Sequence, residues 1–330
     1  MRCYLRTAVI VSALLLGTPV FAAEKVVFQL SWLPGGDRAV FYLAVQSGLF
    51  AAEGLDVQLL AGKGTTDAMT KLATGVADMA EGVFDALLTA KVQNDIPVKA
   101  VMPVFTKMPD GLETTSDSGI TSLRDLAGKK VAMATFTSSS GPWPFLLRMN
   151  GVDPAQVNLT KVDANALAAM LATGQVDAIV HYVVNAPATA LILAEAKKTL
   201  RVIPWSEYGL AGYSTSILVS DKVLATRRDA VVKVTRAMRK AELMMRADPD
   251  AAAAAAKQLV PQLDLPVTQM MVKATLPLMF NENTEKDGLG VFSPTLVKTT
   301  WEWVAKQQNV PMDKLDPIAS VDFTIAKVQM

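Results

Sequence analysis

Two loops rich in glycine, serine and threonine run straight into helical segments, and their residue types suit the capture of an electron-rich group. One is Gly62-Lys63-Gly64-Thr65-Thr66; the other runs from Thr135 to Pro142 and contains Thr137, Ser138, Ser139 and Ser140. The first turn of a helix leaves backbone N–H groups free and carries partial positive charge, which favours anions and polarised oxygens. The hydroxyls of Thr65, Thr66, Ser138, Ser139 and Ser140 would add donors at the same ends. Either loop alone could be an ordinary helix cap; facing each other across two lobes, they would form a clamp. Neither is a phosphate-binding P-loop, because GKGTT lacks the GxxxxGK[ST] spacing. The aromatic residues are few, yet Trp32, Phe84, Phe136, Trp143, Tyr182 and Tyr213 fall in or beside such loops. Aromatic walls suit a flat ligand or an apolar tail, with core packing as the other use of Phe84 and Trp143.

Catalytic chemistry is harder to find. The chain has one histidine, His181, just past a predicted strand, and one cysteine, Cys3. A lone histidine without cysteines does not make a transition-metal site, so no metal or cofactor is expected. No GxSxG elbow is present, and the acids Asp78 and Glu81 at a strand end are too ordinary an arrangement to define an active site.

The elements that must carry these loops follow from periodicity. Val26, Phe28 and Leu30 alternate with polar positions as a strand, and Pro34-Gly35-Gly36 interrupts it. Asp37 is expected to cap the next helix, which ends near Gly48; Leu55, Val57 and Leu59 make a second strand. Such a βαβ unit places the loop after Trp32 at the carboxyl end of a parallel strand, where ligands of open α/β sheets bind. Strand and helix keep alternating through Ala77 to Ala80, the helix from Gly82 to about Gln93, and the strand Ala100 to Phe105. This predicts a parallel α/β lobe. The polar stretch Asp110 to Gly119 reads as a crossing to a second α/β lobe, and Gly209 to Ser214 as the return. Thr215 to Ser220 is a strand. Helices then dominate: Arg227 to Arg246, the alanine run Ala251 to Ala256 capped from Asp248, and Ser293 to Gln308.

Residues 1–22 combine Arg2 and Arg6, an apolar run and small residues near Ala22, the pattern of a cleavable secretory signal. The run is too short to span a membrane. Cys3 leaves with this segment, so the mature chain would have no disulfide or thiolate. Subtracting the two signal arginines from 32 Lys+Arg leaves 30 against 31 Asp+Glu, a net charge near −1. This balance argues against nucleic acid or an anionic membrane as partner.

The stretches LSWLP (Leu30 to Pro34), FYLAVQSGLFAAEGLDVQLL (Phe41 to Leu60) and GKGTTDAMTKLATGVADM (Gly62 to Met79) carry a resemblance. SLRDLAGKKVAM (Ser122 to Met133), LATGQVDAIV (Leu171 to Val180) and the PDAAAA-type helix up to Ala256 extend it over nearly the whole mature chain. The sequence resembles the substrate-binding proteins of ABC importers in the nitrate/sulfonate/taurine and thiamine-pyrimidine-precursor group. The resemblance implies a two-lobe Venus-flytrap α/β fold with a two-crossing hinge. Lobe I would be 23–110 with 214–330, and lobe II 111–213. It further implies a periplasmic, monomeric protein that hands a small organic ligand, anionic or heterocyclic, to an inner-membrane ABC permease. The implied cleft residues are Trp32, Arg38, Lys63, Thr65, Thr66, Phe84, Asp85, Phe136, Thr137, Ser138, Ser139, Ser140, His181 and Tyr213. Trp32 would stack on the ligand, the hydroxyls would hydrogen-bond it, and Lys63 or Arg38 would neutralise an acidic group. One departure stands out: the pyrimidine-binding branch carries Asn and His after the Trp-Pro, where this chain has Gly35-Gly36-Asp37-Arg38. Fungal pyrimidine synthases share the fold but need a cysteine-rich motif absent here. An exported enzyme on this scaffold, or a module reporting to a membrane sensor, are the rival readings.

Overall fold

A computed structural model describes residues 22–327; the signal-like segment falls outside them except for Ala22. Among the described residues, ten strands form two five-stranded sheets. The first contains β1 (Glu24–Gln29), β2 (Leu55–Leu60), β3 (Met79–Val83), β4 (Val98–Pro103) and β10 (Thr215–Ser220), in the order β2-β1-β3-β10-β4. The second contains β5 (Asp110–Thr115), β6 (Lys130–Ala134), β7 (Asn158–Val162), β8 (Ala178–Tyr182) and β9 (Leu200–Pro204), in the order β7-β6-β8-β5-β9. β1 and β2 pair in parallel from Glu24↔Leu55 to Gln29↔Leu60, so the loops after both strands emerge at one edge.

Neither sheet is wholly parallel, contrary to the alternation rule. β10 runs antiparallel to both β3 and β4, and β5 antiparallel to both β8 and β9. The physical reason is the crossing itself: each of these strands enters its sheet from the other one, so it arrives without the helical crossover that makes neighbours parallel. The segment from Asp110 differs most from expectation. Its DGLETT sequence looks like a turn, yet it is a fully buried strand flanked on both sides. The crossing proper is shorter, 104–109, and the return is 205–214. The two crossings hold each other: Val104 and Phe105 N–H donate to the Thr215 carbonyl at 2.8 and 2.9 Å, and Ser214 N–H to the Phe105 carbonyl at 3.1 Å.

Helices cover the sheets where the sequence periodicity placed them. Arg228–Ala247 buries Val231, Val234, Met238, Ala241 and Met245 along one stripe. Asp248 accepts from Ala251 N–H at 2.9 Å and starts the alanine-rich helix Pro249–Leu259. Asp37, by contrast, caps nothing. The helix Ala39–Gln46 has no side-chain cap, because the Asp37 carboxylate is drawn to Arg38. One long helix, Leu265–Met279, has no counterpart in the sequence reading; Pro277 inside it obscures its pattern. It packs against the turn 36–38 and against the helix Ala186–Glu195 beside the second sheet.

Candidate functional site

A cavity of about 280 Å³ opens where the carboxyl ends of β1, β2, β6 and β8 meet. Its first-sheet wall comes from the loop Ser31 to Arg38, with Gly64, Thr65 and Val83; the opposite wall comes from Ala134, Thr137, Ser138 and Val180 to Tyr182. Asn165, Leu167, Asn185, Thr189 and Ile192 continue the second wall, and Met271 of the long helix closes the side. The indole of Trp32 packs against the apolar cluster of Ala134, Leu167 and Leu193, so a side chain of the first lobe sits on the core of the second. Gly64 tightens the same approach: with φ +138°, it lies so close to Phe136 that an added Cβ would be 3.0 Å from that carbonyl.

The only guanidinium in the lining is Arg38, buried and already paired. Its Nε donates to Glu81 at 2.9 Å, and its other nitrogens reach the Asp37 carboxylate and, at 3.3 Å, the Ser31 hydroxyl. Ser31 N–H also donates to Glu81 at 2.9 Å. Burial opposes the charge on Arg38, but Asp37 and Glu81 outweigh it and hold the guanidinium above its ordinary pKa. Two carboxylates against one cation leave this wall with no spare positive charge.

Behind the cavity lies a second acidic group. Asp85 and Asp110 are both buried next to the two crossings. Burial, with Asp110 adding to it, pushes the Asp85 carboxyl up to about 8. Burial raises Asp110 to about 6, opposed by a hydrogen bond from the Ser139 hydroxyl. Tyr182 shares a 2.9 Å hydroxyl contact with Ser138, and its phenol is raised well above its usual range by burial and by Asp110.

Of the residues expected at the cleft, Trp32, Arg38, Thr65, Thr137, Ser138 and His181 line the cavity. Asp85, Ser139 and Ser140 are not among its lining residues. Phe84 and Tyr213 do not reach it: they pack edge to face at 6.1 Å in the core, each against Phe292. Lys63, Thr66 and Phe136 are exposed and stand outside the lining, Phe136 being 73% exposed. The hydroxyl clamp also takes another form. Ser138–Ser140 is a single 3₁₀ turn, not a helix start. Its hydroxyls are consumed locally, Thr137 donating to Ser139 at 3.0 Å and Ser139 donating to Asp110. Thr65 accepts from Val83 N–H at 3.3 Å. Sequence reasoning missed Asp37, Asn165, Thr189, Ile192 and Met271 as lining residues. Asp37 was visible in the loop but read as a cap; Thr189 and Ile192 lie in a helix with no polar stripe to mark them.

Two α/β sheets, strands exchanged at paired crossings and a cavity between their loops define the two-lobed periplasmic-binding-protein fold. The alkanesulfonate-binding protein SsuA from Xanthomonas axonopodis pv. citri, solved bound to MOPS, has this fold. It superimposes with a TM-score of 0.68 over 91% of this chain and 99% of that one, at 17% identity. The NMT1/THI5-like family profile matches residues 36–252, and the chain belongs to that family. The riboflavin-binding protein RibY of Chloroflexus aurantiacus is 25% identical over 85% of this chain and 80% of its own. The formylaminopyrimidine-binding protein of Halalkalibacterium halodurans is 24% identical over 81% of this chain and 80% of its own.

Proposed function

We propose that this chain is the solute-binding component of an ABC importer. It takes a small, flat, uncharged or cationic heterocycle into the cavity around Trp32 and delivers it to a membrane permease. The observation that carries the ligand class is the doubly neutralised Arg38: a sulfonate or carboxylate entering the cavity would meet Asp37 and an Arg38 already paired with it and with the buried Glu81, and no free cation in the lining. Trp32 supplies a face for stacking, and the relatives that bind a flavin or a formylaminopyrimidine support a ring ligand. Lobes 23–110 with 214–330 and 111–213 would close on the ligand about the crossings at 104–109 and 205–214, in the periplasm, as a monomer. The two hydrogen-bonded crossings suit a hinge that bends without parting.

Isothermal titration of the chain from residue 23 with 4-aminopyrimidine, riboflavin and methanesulfonate tests the reading. Saturable binding of a heterocycle, lost in Trp32→Ala, is the expected result. Binding of methanesulfonate alone refutes the ligand class, and turnover of a bound compound favours the enzyme reading instead.

A further inference from the structure

Beneath the cavity wall lies a carboxylate that the structure leaves without a hydrogen bond. Glu113 is fully buried in β5, and neither of its oxygens has a partner among the described residues. Its nearest basic group is His181, whose Nδ1 lies 3.5 Å from Oε2 and is itself buried and unpartnered. The pairing is built by register. Gly111 sits opposite His181 in the β5–β8 ladder, which puts Glu113, two residues on, under the same face. Gly111 itself leaves room for the neighbouring Val183 side chain, which a Cβ there would meet at 2.9 Å. Of the two residues, His181 lines the cavity and Glu113 does not.

We infer that Glu113 is a positioning residue: it holds the proton of His181 on Nδ1, so that Nε2 presents its lone pair to the cavity and accepts a hydrogen bond from a ligand N–H or O–H. In its ionised form Glu113 can only accept, so the imidazole nitrogen facing it must donate, and in the neutral ring the other nitrogen is then the acceptor. This rests on the ligand-binding reading above and sharpens it. Thr189, whose buried hydroxyl has no partner among the described residues, stands along the same wall. The site then reads a donor on the ligand, in keeping with the acidic wall opposite.

The chain contains one histidine, so its imidazole ¹⁵N signals need no assignment. In the ligand-free protein at about pH 8, above the usual imidazole range, long-range ¹H–¹⁵N spectra should show Nδ1 protonated and Nε2 bare. Glu113→Leu removes the acceptor and should move the proton toward Nε2; Glu113→Gln, whose carbonyl can still accept, should retain the wild-type tautomer. In titrations, wild type should prefer 4-aminopyrimidine over 4-(dimethylamino)pyrimidine by about tenfold, the size of one well-made hydrogen bond, and Glu113→Leu should lose that preference. A wild-type imidazole protonated on Nε2, or a tautomer unmoved in Glu113→Leu, overturns the inference. If wild type binds neither pyrimidine, the ligand class and the acceptor role of Nε2 both fail, while the tautomer spectra decide the Glu113–His181 link independently.

Discussion

Replacing Asp85 with asparagine should remove a pH dependence that the fold imposes on itself. Asp85 is buried, its Oδ1 has no hydrogen-bond partner among the described residues, and its carboxyl is raised from 3.8 to about 8. The native chain therefore keeps a proton that the unfolded chain releases from about pH 4 upward. For an acid raised in this direction, the native state binds more protons, so its stability falls as pH rises. The contribution is fully present below the unfolded value and lost by the time pH passes the folded one. Across that window the slope is about 1.4 kcal/mol per pH unit, and the whole effect is on the order of 5 kcal/mol. In a chain of this length that corresponds to about 2 °C in Tm per pH unit. Asparagine keeps the shape and cannot ionise. It brings a constant offset from its altered hydrogen bonding, but no slope of its own. Melting of ligand-free wild type and Asp85→Asn should be followed by circular dichroism at half-unit steps from pH 5 to 8. The wild-type Tm should decline relative to the variant by about 6 °C over that range. Parallel curves would show that Asp85 ionises normally in the folded chain, and the argument from burial would be refuted.

Asp110→Asn removes the neighbouring carboxylate that helps to raise Asp85; the wild-type decline in Tm should then persist but end at a lower pH, which the same melts would show. Arg38→Met strands Asp37 and Glu81 as buried carboxylates and should cost about 3–5 kcal/mol in urea unfolding; a loss under 1 kcal/mol would mean that the ion pair does not hold the loop. Gly64→Ala forces a side chain onto a backbone conformation open mainly to glycine and toward the Phe136 carbonyl, so it should cost about 1–3 kcal/mol and weaken ligand affinity. Equal affinity in calorimetry would show that the ligand does not draw these two loops together.

Repeating period and punctuation were enough to read the alternation of elements, because each strand or helix there buries its own pattern. Phe28 and Leu30 in and beyond β1, the Gly48 turn and the Asp248 cap all act within a few residues of where they stand. The strand Asp110–Thr115 was not legible for the opposite reason. Its polar sequence is suited to a turn, and only pairing with β8 on one side and β9 on the other makes it a strand. The same distinction governs the site. Trp32 and His181 announce themselves by type and by the strand ends they follow. Phe84 and Tyr213 share those marks, yet they are taken up by Phe292, a residue about 80 or more positions further along the chain that no local pattern connects to them.

Charge shows the largest gap between composition and site. Lys63 and Arg38 both look available in the sequence. The first stands outside the cavity, and the second is surrounded by Asp37, its chain neighbour, and Glu81, which reaches it from β3. What remains at the cavity includes acceptors, the acidic wall and the histidine nitrogen turned outward by Glu113, beside the Thr189 hydroxyl, which has no partner among the described residues and can donate or accept. A cation that is neutralised twice does more to position Ser31 and the Trp32 loop than to attract an anion, since Glu81 binds the Ser31 N–H and Arg38 with the same oxygen. The ion pair thus fixes the edge on which the indole stands, and ligand selection passes to the lining groups that are still free to hydrogen-bond.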